Sequence, residues 1–144
     1  QFKKPANTPP VTPITNLTLN FENQFGGSTS KLGPTIDLGN GISAATTGLY
    51  FYNLFGGAFN SGYFSFTDLT LNFPSPVLSL SFKATGNCTN CTQTVVVTAD
   101  GQVVNNFALN YSPATAITIS LPTPATKITL TAGFKMDDLN ILFK

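Results

Sequence analysis

The chain has no histidine, no arginine and no tryptophan, and charged residues make up only 9% of its 144 residues. A typical soluble protein carries about 25% charged residues. General acid/base catalysis usually relies on histidine, or on two carboxylates whose pKa values have been pushed apart. The six carboxylates of this chain form no recognisable catalytic motif. The composition therefore predicts a protein that is not an enzyme.

Positive charge is as sparse as negative charge. The seven lysines are scattered along the chain, the net charge is +1, and no arginine is present to bind phosphate through two hydrogen bonds. Nucleic acid is therefore not an expected partner. A nearly neutral surface also lacks the repulsion that keeps protein molecules apart in solution, and this favours self-association.

Long apolar runs are missing too. None approaches the roughly 20 residues that a membrane-spanning helix needs, so no membrane span is predicted. The hydrophobic content is nevertheless 42%, whereas disordered chains combine low hydrophobicity with high net charge. The length fits one folded domain.

Cysteine occurs only twice, as Cys88 and Cys91 in the segment NCTNCT. No further cysteine and no histidine is available to complete a zinc site. Two interpretations remain open, a disulfide that closes a tight hairpin loop and a bond between neighbouring molecules. The chain begins with Gln1 rather than Met, which predicts a removed signal peptide and a secreted protein, or one in the lumen of an oxidising compartment.

Asn-x-Ser/Thr triplets agree with secretion. They begin at Asn16, Asn87, Asn90 and Asn110, and the last one is followed by Pro113. A chain rich in threonine and asparagine also produces such triplets by chance. For this reason we predict glycosylation only at partial occupancy, at Asn16, Asn87 and Asn90.

Hydrophobic alternation with a period of two residues dominates the chain after its first 13 residues. Residues 1–13 contain four of the ten prolines and no apolar periodicity, which predicts an extended arm. Residues 14–144 show short alternating segments separated by turn signals, as in a sandwich or barrel. The predicted strands are 14–21, 42–52, 62–66, 69–73, 77–82, 92–98, 103–111, 116–121, 127–130 and 139–143. The fold class is therefore all-β, an antiparallel β-sandwich.

Four short elements resemble those of secreted jelly-roll domains in bacterial and fungal exoproteins. They are Phe21-Glu22 near the first strand, the FGG element at 55–57, the hairpin at 95–104 around Asp100-Gly101, and the MDDLNI segment at 136–141. The first and the last of these also resemble the ends of jelly-roll carbohydrate-binding modules. The resemblance implies a β-sandwich of jelly-roll type. In the binding modules the two ends of the chain contribute to a structural calcium site. This chain departs from them because it has no tryptophan.

The resemblance places three carboxylates, Glu22, Asp137 and Asp138, in the expected calcium site. Ca²⁺ binds six to eight oxygen atoms, two or three of them from carboxylates. Successive residues of a strand point to opposite faces, so only one of Asp137 and Asp138 is expected to reach a given ion. The alternative is that all three are ordinary exposed acids.

Four tyrosines are candidates for a sugar-binding face. Exposed rings stack on sugars, and neighbouring hydroxyl and amide groups bind the sugar hydroxyls. The candidates are Tyr50, Tyr52 and Tyr63, together with Tyr111. The alternative is that the aromatic residues, which include 13 phenylalanines, fill the core.

Two functions agree with these features. The leading hypothesis is a structural protein that associates with copies of itself into an extracellular layer, filament or ordered deposit, because few charges protect its sheet edges. The alternative is a carbohydrate-binding module with a polysaccharide partner.

Overall fold

The computed structural model describes residues 15–19, 21, 30–56, 59 and 61–144. The predicted arm at 1–13 lies outside these residues, and so does Glu22. Every strand pairing in the described part is antiparallel. The strands are β1 Asn16–Leu19, β2 Ser30–Leu32, β3 Thr35–Gly39, β4 Ile42–Ala45, β5 Phe51–Gly56, β6 Ser61–Ser65, β7 Leu69–Gly86, β8 Gln93–Ala99, β9 Gln102–Leu109, β10 Thr115–Thr131 and β11 Phe134–Phe143.

Two unusually long strands, β7 and β10, carry the sheet around into two layers. One layer contains β3, β4, the start of β7, the end of β10, β8 and β9. The other contains β2, β5, β6, β11, the end of β7 and the start of β10, with β1 beside β11. The fold is thus the all-β, jelly-roll sandwich that the sequence predicted. No described helix is long and apolar enough to cross a membrane.

Each long strand turns the corner between the layers at a Pro-x-Pro segment. These segments are Pro74–Pro76 in β7 and Pro122–Pro124 in β10, and the register between the two strands shifts between Ser120 and Ala125. Proline has no N–H to donate, so the hydrogen-bond ladder is interrupted there and the strands can bend. The sequence predicts that a strand ends at each of these segments. That prediction is wrong, because each strand continues through the corner.

Aromatic rings join the two layers within a core that otherwise consists of aliphatic side chains. Phe107 on β9 packs edge-on against Phe134 on β11 with ring centroids 5.8 Å apart, although β9 and β11 are not neighbours in the sheet. Phe82 on β7 lies 5.9 Å from the same Phe107 ring. Such contacts between non-adjacent strands bring the layers face to face. Most phenylalanines of the described residues therefore fill the core.

A bulge changes which side chains point inward at the start of the predicted strand 77–82. Leu142 pairs with Ser79 and Phe143 with Val77, so Leu78 is skipped. Val77 is consequently buried and Leu78 is exposed, against the predicted alternation, whereas Leu80 and Phe82 are buried as it predicts. An extra residue in one strand reverses the facing of everything beyond it, which periodicity alone does not reveal.

The first and last described strands lie side by side. Leu19 pairs with Leu139 and Leu17 with Ile141. Leu19 and Phe21 are buried, and Asn16 and Thr18 face the solvent, as the alternation of residues 14–21 predicts. This pairing places the end of β1 next to Leu139, one residue after Asp138.

Candidate functional site: a tyrosine cleft

Two exposed tyrosine rings stand together at the start of β5. Phe51 is fully buried between them in sequence, so Tyr50 and Tyr52 both face outward because neighbouring residues of an extended chain alternate in direction. Their side chains are 37% and 38% exposed, and their ring centroids are 6.2 Å apart at an interplanar angle of 60°. The two rings are tilted walls rather than a flat stack.

The tyrosines border an open cleft of about 370 Å³. Its other side chains are mostly hydroxyls and amides, and no charged residue of the described part of the chain lines it. They belong to Ser65, Phe66, Thr67, Asn87 and Gln93, with Gly133 contributing backbone. An aromatic wall beside hydrogen-bonding groups is what a sugar ring requires.

The loop that leads into Tyr50 is fixed by Asp68. The Asp68 carboxylate accepts hydrogen bonds from the Thr46 hydroxyl and the Thr47 backbone N–H, both at 2.7 Å, and from the Thr47 hydroxyl. Burial alone would raise the pKa of Asp68, but these three bonds outweigh it and bring the pKa below its usual value. The network ties the β4–β5 loop to the β6–β7 turn and so positions the first tyrosine.

The opposite wall of the cleft is fixed by Gln93. Its Oε1 accepts a hydrogen bond from the Asn87 backbone N–H at 2.9 Å, and its Nε2 donates to the Gly133 carbonyl. A Cβ atom added to Gly133 would lie 2.4 Å from the Phe66 carbonyl oxygen. Glycine is therefore required where the β10–β11 turn passes beneath the cleft.

Tyr63 is not part of the exposed wall. It lies two residues before Ser65 on β6 and so shares its face, but its side chain is only 8% exposed and packs against Phe59 with ring centroids 5.0 Å apart. Burial, and secondarily the nearby Tyr111, raise the pKa of Tyr63. The prediction that Tyr63 belongs to an exposed stacking platform is therefore wrong. The alternation of β6 does not reveal that Phe59, a residue outside the strand, covers its ring.

The cysteine pair lies in the loop beside the cleft. The sulfur atoms of Cys88 and Cys91 are 1.92 Å apart within one molecule, which is the arrangement of a bond that closes the loop. The asparagines of the four triplets, Asn16, Asn87, Asn90 and Asn110, are all exposed. Asn87 lines the tyrosine cleft itself, while the Asn110 side chain accepts a hydrogen bond from Thr92.

The acids of β11 lie at a bulge beside the end of β1. Asp137 pairs in register with Lys83, Asn140 pairs with Ser81, and Asp138 has a positive φ of 51°. The Asp137 side chain is buried and accepts a hydrogen bond from the Asp138 N–H at 2.8 Å. Asp138 instead forms an ion pair with Lys83, with Nζ and Oδ2 3.2 Å apart. The two carboxylates therefore point to different surroundings.

Both acids have partners here, Asp137 through the Asp138 N–H and Asp138 through Lys83. Calcium binding by these acids stays a prediction. Glu22, the third predicted ligand, lies outside the described residues. Within those residues, no cluster of three or more acids, cysteines or histidines is present.

The sequence identified the two tyrosines but not the polar half of the cleft. Ser65, Asn87 and Gln93 belong to three separate segments, and only strand pairing and loop hydrogen bonds bring them together. Tyr52 and Ser65 are direct cross-strand partners. No sequence signal specifies that register, although the spacing of turns around β5 and β6 restricts it.

Solved structures share this fold. The K1 cleaved adhesin domain of Lys-gingipain from Porphyromonas gingivalis W83 is 14% identical, with a TM-score of 0.50 over 90% of this chain and 99% of that one. The catalytic unit of a GH87 α-1,3-glucanase from Streptomyces thermodiastaticus has a TM-score of 0.46 and 12% identity, with 92% of this chain covered. The chain spans 26% of that glucanase.

A third structure is the CBM36-1 domain of a xylanase from the hindgut metagenome of Trinervitermes trinervoides. It is 16% identical with a TM-score of 0.39, and the alignment covers 88% of this chain and 95% of that domain. No protein-family model matches the chain, and no curated protein matches its sequence. At 14% identity, the likeness to the adhesin domain shows the β-sandwich fold alone.

Proposed function

We propose that the domain binds carbohydrate in the tyrosine cleft, outside the cytoplasm and without catalysing a reaction. The observation that carries this proposal is the pair of exposed rings of Tyr50 and Tyr52 on a cleft lined by hydroxyl and amide groups. Tyrosine offers a large apolar face and a polar tip, so it packs on a sugar ring and bonds to its hydroxyls. The hydrogen bonds of Asp68 and Gln93 hold both walls in place before binding, which lowers the entropic cost of ordering them.

Affinity electrophoresis through gels containing polysaccharides tests this function. Tyr52→Ala should weaken binding roughly tenfold, since truncating an aromatic anchor typically costs more than about 1 kcal/mol. Tyr52→Phe should keep most of the affinity because it keeps the ring. Leu142→Ala, which truncates an equally exposed apolar residue away from the cleft, is the matched control. Unchanged retardation of a Tyr50→Ala/Tyr52→Ala double variant would refute binding in the cleft.

Self-association is a second candidate, and one edge strand supports it. β9 is the last strand in its layer, with β8 as its partner among the described strands. Its sequence, QVVNNFAL, contains no charge and no proline, and Val103 is 69% exposed. Edge strands normally carry lysine, proline or buried charge to prevent pairing between molecules. We propose that β9 of a second copy pairs with β9.

Light scattering tests that pairing. Val103→Lys places a charge on the β9 edge and should reduce the mean particle mass of a self-associating sample, with little effect on stability because the residue is exposed. The variant keeps all native lysines, including Lys31, so the added charge on β9 is its one difference from the wild type. Because Cys88 and Cys91 are bonded within one molecule, reductant should not dissolve such an assembly. A wild-type protein that stays monomeric at high concentration would exclude this candidate.

A further inference from the structure

The outer face of the sandwich continues beyond the cleft along a row of paired residues. Tyr52 on β5 pairs with Ser65 on β6, and Ser65 is opposite Lys135 on β11. Residues paired across antiparallel strands point to the same face, and neighbouring strands are about 4.8 Å apart. The row therefore extends over two strand spacings from the tyrosine wall to a lysine.

A third exposed ring lies at the far end of this row. The Lys135 ammonium is 4.8 Å from the centroid of the Tyr111 ring, and Tyr111 is 41% exposed. A cation over an aromatic face is held by the ring quadrupole. Tyr111 thus fixes the position of the lysine head group and adds a second aromatic surface.

The charge of Lys135 is not neutralised by the described part of the protein. Lys83, a neighbouring lysine, is paired with Asp138, and no described acid forms an ion pair with Lys135. Asp68, in the turn beside the cleft, is engaged by Thr46 and Thr47. The row therefore holds the Lys135 ammonium at the Tyr111 ring, and its other end continues past Tyr52 to the paired position of Lys31 on β2.

We propose that this surface, from Tyr52 across Ser65 to Lys135 and Tyr111, takes an acidic polysaccharide. An anionic group of the ligand, carboxylate or sulfate, pairs with the Lys135 Nζ, while sugar rings lie against the tyrosines. The inference rests on the proposed carbohydrate-binding function and specifies its ligand class. A fixed cation beside a cleft whose described lining is uncharged favours an acidic over a neutral sugar, because only the acidic sugar supplies a partner for the charge.

Isothermal titration calorimetry with three probes tests the ligand class. The probes are an oligogalacturonate, a sulfated galactan oligosaccharide and a neutral xylo-oligosaccharide. Lys135→Gln should weaken binding of at least one acidic probe by roughly twofold to fivefold, the range expected for a partly exposed ion pair. Binding of the neutral probe should be unchanged. Comparing the two acidic probes shows whether carboxylate or sulfate is preferred.

Lys127→Gln is the matched control, because it removes the same charge from an exposed position in the other layer. Equal weakening by both substitutions would overturn the inference, since a general charge effect would then suffice. Equal wild-type affinity for the neutral and acidic probes would also overturn it. If Lys135→Gln has no effect while Tyr52→Ala still weakens binding, the acidic ligand is refuted and the carbohydrate cleft stands. If neither substitution weakens binding, both the acidic ligand and the carbohydrate cleft are refuted.

Discussion

The acids at the two ends of the outer face are used in different ways. Asp68, beside the cleft, accepts three hydrogen bonds from one neighbouring loop and therefore fixes backbone. At the β1–β11 junction the two adjacent acids have different surroundings, since Asp137 is buried and Asp138 is paired with an exposed lysine. The comparison shows that in a chain with few charges each carboxylate takes a separate structural task, and that burial and nearby donors decide which.

The strongest test of this contrast is calcium. We propose that Asp137 is a ligand of a structural Ca²⁺ at the junction, as the resemblance to binding modules implies. Calcium at about 100 times its dissociation constant should then raise the free energy of unfolding by roughly 2.7 kcal/mol. Chelator-treated protein should melt at a lower temperature, and Asp137→Asn should abolish the response to added calcium.

Asp138→Asn is the matched control for that experiment. Its carboxylate faces Lys83, so the variant should keep the calcium response and lose about 0.5 kcal/mol or less, as an exposed ion pair contributes. A melting temperature of wild-type protein that is the same in calcium and in chelator would end the calcium proposal. Loss of the response in Asp138→Asn but not in Asp137→Asn would reverse the assignment of the two acids.

Removal of the Asp68 carboxylate should have the next largest effect. Asp68→Ala leaves Thr46, a nearly buried polar residue, without its carboxylate partner, and should cost about 2 kcal/mol of folding free energy. The variant should also bind sugar more weakly, because the loop before Tyr50 is released. Asp37→Ala, which removes one hydrogen bond to the Gly39 N–H in a turn, should cost less.

The same residue predicts a pH dependence. The pKa of Asp68 is lowered in the folded state, so the unfolded chain binds more protons between the two pKa values and stability rises with pH there. This contribution is fully present above the unfolded value of about 3.9 and is lost as the pH falls through the lower folded value. Urea unfolding of wild type and Asp68→Ala should therefore converge below about pH 4. A constant difference down to the lowest pH would contradict the role of the charge.

The alternating residues of single strands were predictable from the sequence, whereas corners and bulges were not. Residues 16–19 have the facing that their alternation predicts, and so do residues 79–82, because one buried face imposes a period of two. Val77 and Leu78 do not, because the bulge at Leu78 depends on how β11 pairs with β7. The Pro-x-Pro segments were visible as interruptions, but proline interrupts a ladder equally at a strand end and at a corner.

The candidate site divides in the same way. Aromatic residues flanking the buried Phe51 could be identified as outward-facing from local alternation, and this holds for Tyr50 and Tyr52. Tyr63 has the same local pattern, yet Phe59 covers it. Gln93 reaches the cleft only because its side chain bridges Asn87 and Gly133, residues brought together by three different strands.

The sequence alone determined the fold class and the sparse charge, because composition and period-two alternation act locally on every strand. Tertiary structure decided which few polar groups meet. Strand register placed Tyr52, Ser65 and Lys135 in one row, and a bulge sent Asp137 and Asp138 to different surroundings. Register and bulges depend on pairing between distant segments, so no local pattern carries them.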